Sequence, residues 1–296
     1  MTSVSRPEAL VRAMPAVFVL IWSTGFIVAR FGMPHAPPMK FLAWRYFFSV
    51  ACFLAWAIAA RAAMPAGREQ VKHLAITGIL MHGGYLGGVW SAVKLGMGAG
   101  LVALLVGLQP VLTAVWVSSR GGRVEGRQWA GLALGFGGLA LVVWQKLGVG
   151  EIHELNLLLA VGALLSITAG TLYQKRFVTP CDVRTASLVQ LCAAFVVTLP
   201  LALLETESVQ WSGQLAGAMA WSVLALTLGG SSLLYLLIQR GAATAVTSLL
   251  YLVPPCTAIM AWLLFGEPIT AFTIAGMALT ALGVSLVVRA ASKPRL

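Results

Sequence analysis

Apolar residues run along this chain in long, almost unbroken stretches, not in the one-sided stripes of a soluble helix. A helix that crosses a bilayer needs about 20 mostly apolar residues. Ten stretches meet that need: 14–32, 39–60, 72–93, 99–118, 128–144, 155–173, 185–204, 216–238, 243–265 and 271–288. The segments between them are short and carry the glycines, prolines and charges, as at 33–38, 63–68, 121–126, 205–213 and 266–269. The pattern predicts an all-α integral membrane protein of ten transmembrane helices. The first stretch follows Arg6 and Arg12, as the apolar core of a signal peptide would. It is long, however, lacks a small-residue cleavage site and is followed by another span, so it reads as a retained helix.

Composition agrees. The chain is 59% hydrophobic and 10% charged, where a soluble domain carries about 25% charged residues. Such a surface needs lipid as its solvent. The net charge of +11 does not indicate nucleic acid, because the basic residues are spread among short loops. Placing the N-terminus in the cytoplasm puts Arg6, Arg12, Arg61, Arg68, Lys72, Arg120, Arg123, Arg127, Lys175, Arg176, Arg184, Arg240, Arg289, Lys293 and Arg295 on the inner side. The outer side keeps Arg30, Lys40, Arg45, Lys94 and Lys146, and its 205–213 loop has two glutamates and no base. This asymmetry places both termini in the cytoplasm, as for a multi-pass protein of a bacterial inner membrane. Trp56, Trp116, Trp129 and Trp144 lie near span ends, where an interfacial belt is expected. The four cysteines show no ligand spacing, so neither a disulfide framework nor a metal or other cofactor is implied.

The halves resemble each other at a shift of 145 residues. Gly96 meets Gly241, Pro110 meets Pro255, Gly121 meets Gly266, Gly131 meets Gly276 and Gly138 meets Gly283. Residues 1–150 and 151–296 then form two five-helix repeats. Five is odd, so the second repeat is inverted in the membrane. That is the architecture of secondary transporters, whose substrate sits near the midplane at the repeat interface and gains alternating access to the two sides.

These residues resemble the ten-helix EamA-type branch of the drug/metabolite transporter superfamily over essentially the whole chain. The likeness is carried by Trp22-Ser23-Thr24-Gly25-Phe26, by Phe41-Leu42-Ala43-Trp44-Arg45-Tyr46, by Pro110 and Pro255, and by Phe265-Gly266-Glu267-Pro268. Met81-His82-Gly83-Gly84-Tyr85 looks most like YddG-type amino-acid exporters. The resemblance implies export of a small molecule, most simply a neutral or aromatic amino acid. Broad drug or metabolite efflux is the alternative.

Candidate site residues follow from polarity at depth. His82 lies roughly 15 Å into its span, with Tyr85 three residues on, and polar groups there face the bundle interior. Trp22, Trp90, Tyr235 and Tyr251 are aromatic residues away from the interfaces, suited to walling a substrate pocket. Ser231 and Ser232 follow Gly229-Gly230 and offer hydroxyls. Ser166, Thr168, Thr171, Gln190, Thr247 and Ser248 could bind a carboxylate or amine, but most are expected to bond their own helix backbone. Pro110, Pro254 and Pro255 interrupt spans and are candidate hinges or gates. Arg45 enters its span by only about 9 Å, a depth from which a long side chain can snorkel outward. No carboxylate sits at mid-membrane and Asp182 is the only aspartate, which argues against an intramembrane enzyme with an Asp-rich magnesium site. Proton coupling and facilitated diffusion both stay open.

Overall fold

The computed structural model describes residues 6–120, 126–147, 150–230, 233 and 252–291. Among them every regular element is a helix. In chain order these are α1 (Arg6–Gly32), α2 (Pro38–Ala59), α3 (Gly67–Gly78), a first π-helix (Ile79–Gly84), α4 (Tyr85–Lys94), α5 (Ala99–Val106), α6 (Gln109–Ser119), α7 (Gly126–Leu147), α8 (Glu154–Phe177), α9 (Val183–Leu204), α10 (Gly213–Ala220), a second π-helix (Trp221–Gly230), α11 (Val253–Phe265) and α12 (Ala271–Ala291). Three of them, α2, α8 and α9, are long and apolar enough on their own to cross a membrane. Shorter apolar segments lie within α1, in α5–α6, in α11 and in α12. Large apolar side chains stand exposed on the outside, among them Phe47, Leu165, Val196, Leu203, Leu263 and Ile274. An apolar exterior of this kind is what lipid accepts. Trp56, Trp116, Trp129 and Trp144 are exposed as well.

Local chemistry sets the helix ends. Asp182 accepts from the backbone N–H of Arg184 at 2.9 Å and opens α9, while Ser212 accepts from Leu215 at 3.1 Å and opens α10. At the end of α11 Gly266 takes a left-handed φ of 67°, the conformation only glycine adopts freely. The reversal lets Glu267 reach back across the bundle. Its Oε1 accepts from the N–H of Ala99 at 3.0 Å and its Oε2 from that of Gly100 at 3.5 Å, capping α5. Glu205 does the same for α2, accepting from Met39 at 3.0 Å and Lys40 at 2.8 Å. Both carboxylates sit on the positive end of a helix dipole and take donors that the helix leaves unpaired.

The most intimate packing joins α7 and α12. A Cβ on Gly138 would stand 2.5 Å from the carbonyl oxygen of Gly276, and one on Gly283 would strike the carbonyl of Gly131. Here glycine is required because backbone meets backbone. Elsewhere α9 lies along α2, α8 along the first π-helix and α4, α11 along α5, and α1 against α11 and the second π-helix.

Two predicted continuous spans are interrupted. The stretch 72–93 passes through the first π-helix, and the stretch 216–238 enters the second. Pro110 coincides with an interruption of the regular helix. The chain breaks at Gly107–Leu108, and Pro110 stands in the first turn of α6. Pro254 and Pro255 likewise stand in the first turn of α11, where a missing N–H costs nothing. The break and the start meet, since a Cβ at Gly107 would lie 3.1 Å from the Pro254 ring.

Candidate functional site

The two π-helices supply irregular backbone, and α2 threads between them. A π turn offsets carbonyls from the regular i→i−4 ladder, so in an apolar setting something must pair them. Side chains do. Ser166 on α8 donates to the carbonyl of Leu80 at 2.8 Å, and Tyr46 on α2 donates to that of His82 at 2.8 Å. In the second π-helix Thr227 donates to the carbonyl of Ser222 at 2.8 Å, five residues back. Ser166 thus bonds across to another helix. Thr168 and Thr171 do bond their own helix, to Leu164 and Ile167.

Arg45 is the residue whose placement departs most from the sequence reading. It does not snorkel outward. It is 8% exposed and points inward, where Nη2 and Nε donate to Thr227 Oγ1 at 3.1 and 3.4 Å. Its guanidinium lies 6.0 Å from the ring centroid of Trp90 and within electrostatic reach of Tyr46, Tyr85 and His82. Among the described residues no carboxylate pairs with it: the ion pairs there are Glu69 with Lys72 and His73, and Lys94–Glu207, Lys146–Glu151 and Arg184–Asp182. A partner distant along the chain accounts for the inward course. Thr227 offers a hydroxyl whose own proton is committed to Ser222, so its lone pairs face the guanidinium.

The predicted residues divide. His82 and Tyr85 sit at this centre, surrounded by protein yet keeping accessible surface, with the His82 ring 6.3 Å from that of Tyr46 and beside Gln190. Trp22 is partly buried, 5.3 Å from Phe18 and against Gly230 of the second π-helix. Trp90 is 1% exposed, stacked on Phe41 at 4.4 Å and with the Arg45 guanidinium over its ring, so it presents no open wall. Ser231, Ser232, Tyr235 and Tyr251 lie outside the described residues, as do Thr247 and Ser248. Arg45, Tyr46 and Thr227 were missed as site residues. One signal was available: Thr227 stands 145 positions after His82, so α2 docks neighbouring residues onto matching points of the two halves.

A second cleft lies at the end of the bundle where α5 begins and α12 starts, lined by Gly98, Lys146, Glu151, Glu267 and Thr273 among others. Its charges are already used: Lys146 pairs with Glu151 at 2.8 Å, and Glu267 caps α5. It offers a ligand less than the centre does.

In this bundle irregular helices meet around a polar centre. The sequence matches the EamA-like transporter family at residues 13–144 and again at 155–289, and the chain belongs to that family. It is 25% identical to an uncharacterized transporter, YvbV, of Bacillus subtilis (strain 168), over 95% of this chain and 92% of that one. It is also 25% identical to a probable amino-acid metabolite efflux pump of Salmonella typhimurium (strain LT2), over 90% of each chain. A crystal structure of a protein 16% identical to it superposes with a TM-score of 0.68, covering 95% of this chain and 98% of that one. At that identity the likeness speaks for the fold alone.

Proposed function

We propose that this transporter is a ten-span protein of the bacterial inner membrane that exports neutral or aromatic amino acids by alternating access between two inverted five-helix repeats, with both termini in the cytoplasm. The observation that carries the alternating-access reading is the pairing of contacts across the α7–α12 seam. Gly138 against Gly276 recurs 145 residues on as Gly283 against Gly131, and Thr280 donates to the carbonyl of Gly135, its own counterpart at a separation of 145. Contacts that map onto themselves when the halves are exchanged are those of a twofold axis. The two π-helices, and the α5–α6 break with the start of α11, fall at matching positions and support the same reading, as do the two matched ranges of the family.

The substrate reading rests on the polar and aromatic centre and on the efflux-pump relative. Access is controlled, in this reading, by the end that carries Lys94. There Lys94 pairs with Glu207 at 2.6 Å, Lys40 Nζ donates to the carbonyl of Glu207 at 2.6 Å, and Glu205 and Glu267 hold the starts of α2 and α5. The Lys/Arg bias makes this the outer end. Uptake of a panel of labelled amino acids into proteoliposomes, with and without a pH gradient, tests the proposal. Neutral and aromatic amino acids are expected to move, and Trp22→Ala or His82→Ala to slow them several-fold while the protein still folds. Normal transport by both variants would remove the assigned centre. Tails labelled on opposite faces of the membrane would remove the inverted repeat.

A further inference from the structure

Resting on the transport reading above, we infer that Arg45 is the carboxylate-binding subsite of the transported solute, and that the site takes solutes bearing a carboxylate and rejects their amine and amide analogues. A buried cation is costly unless it is paired. In a membrane protein such a charge faces the interior and marks a substrate or ion path. Among the described residues the hydrogen-bond partner of Arg45 is the neutral Thr227 hydroxyl, which takes Nη2 and Nε along one side of the guanidinium, and the Trp90 ring centroid lies 6.0 Å away. Among the described residues Nη1 has no hydrogen-bond partner, and no carboxylate balances the charge. Two further polar groups on the same pair of elements are also unpaired. Ser49, one helical turn beyond Arg45 on α2, and Ser222, at the start of the second π-helix, are fully buried, and their Oγ atoms lack partners among the described residues. A guanidinium with free N–H groups matches a planar carboxylate in shape and charge. The described residues place no acidic group at this centre to hold an ammonium. A zwitterion or a monocarboxylate therefore neutralises the site, and a cationic amine adds charge to charge.

The test compares matched probes on the purified full-length protein. Its melting temperature is measured against L-phenylalanine, L-leucine and 3-phenylpropionate, and against L-phenylalaninamide, L-leucinamide and phenethylamine. The carboxylates are expected to raise the melting temperature at concentrations at least ~10-fold below those needed by their amine or amide partners, the ratio that one charge-assisted hydrogen bond supplies. Arg45→Gln is expected to erase that preference and Arg45→Lys to keep part of it. Equal binding of both classes by the wild-type protein overturns the inference without any variant. So does carboxylate binding unchanged in Arg45→Gln, and so does a panel in which no carboxylate stabilises the protein. Uptake into proteoliposomes separates the two readings. Solutes that move without acid–amine preference leave transport standing and remove the subsite. Carboxylates that bind but never cross leave the subsite and remove the transport reading.

Discussion

The α7–α12 seam and the centre around α2 solve opposite problems with the same kind of helix. At the seam, glycines bring two backbones together so closely that no side chain intervenes, and the contact repeats itself across the halves. At the centre the helices lose their regular ladder, and side chains mend the loss: Tyr46 of α2 and Ser166 of α8 on the first π-helix, and Thr227 on the second, where Arg45 of α2 bonds it in turn. The seam is apolar, close and symmetric, suited to an axis that stays fixed. The centre is polar and asymmetric, since His82 on one side faces Thr227 on the other. Its bonds are few and exchangeable, which is what a site that must open requires. Rigidity and irregularity thus occupy separate parts of the bundle.

Substitutions can break this comparison. The largest effect is expected at the seam. Gly138→Leu drives a side chain into the Gly276 backbone and should cost on the order of 3 kcal/mol or prevent folding, read as a melting temperature in detergent. Gly283→Leu should do the same, and a tolerant Gly283 would argue against the twofold. Next comes Tyr46→Phe, which leaves the His82 carbonyl unpaired; about 1–3 kcal/mol is expected, with transport falling more than stability. If stability alone falls, the centre is scaffold. Glu205→Gln and Glu267→Gln keep the shape of the helix caps and lose their charge, for about 1 kcal/mol each. If these caps hold the outer end shut, cysteines placed beside them should become easier to label from outside. The smallest effect is expected at Asp182, far from both regions. The Arg184 guanidinium hydrogen-bonds its carboxyl and holds it below the usual carboxylate range. The stabilisation is therefore present above the unfolded value of about 3.9 and is lost as pH falls through the lowered folded value. Asp182→Asn keeps a cap and should flatten that acid limb of a melting-temperature profile.

Part of the candidate centre was legible in the sequence. His82 and Tyr85 stood out because polar residues are rare at that depth, and both lie at the centre. The Gly266-Glu267 turn was visible as a motif, although its target, the start of α5, was not. Trp90 was marked by its type and position, but its neighbours Phe41 and Gly32 bury it. Arg45 was discounted because depth along a helix says how far a side chain must travel to water. It says nothing of whether a hydroxyl waits on the other side. The π-helices were invisible to a hydropathy pattern, which is blind to the one-residue offset that makes them.

Sequence alone determined that this chain is an apolar helical bundle, and which few polar residues, His82 and Tyr85 among them, lie deep within it. Those follow from local chemistry: run length, breakers and charge bias. Only the tertiary structure decided which way Arg45 turns, which carbonyls the π-helices release, and what caps α2 and α5. Those depend on partners 36 to 182 residues away along the chain, and a hydrogen bond is fixed by distance in space, which spacing along a sequence does not record.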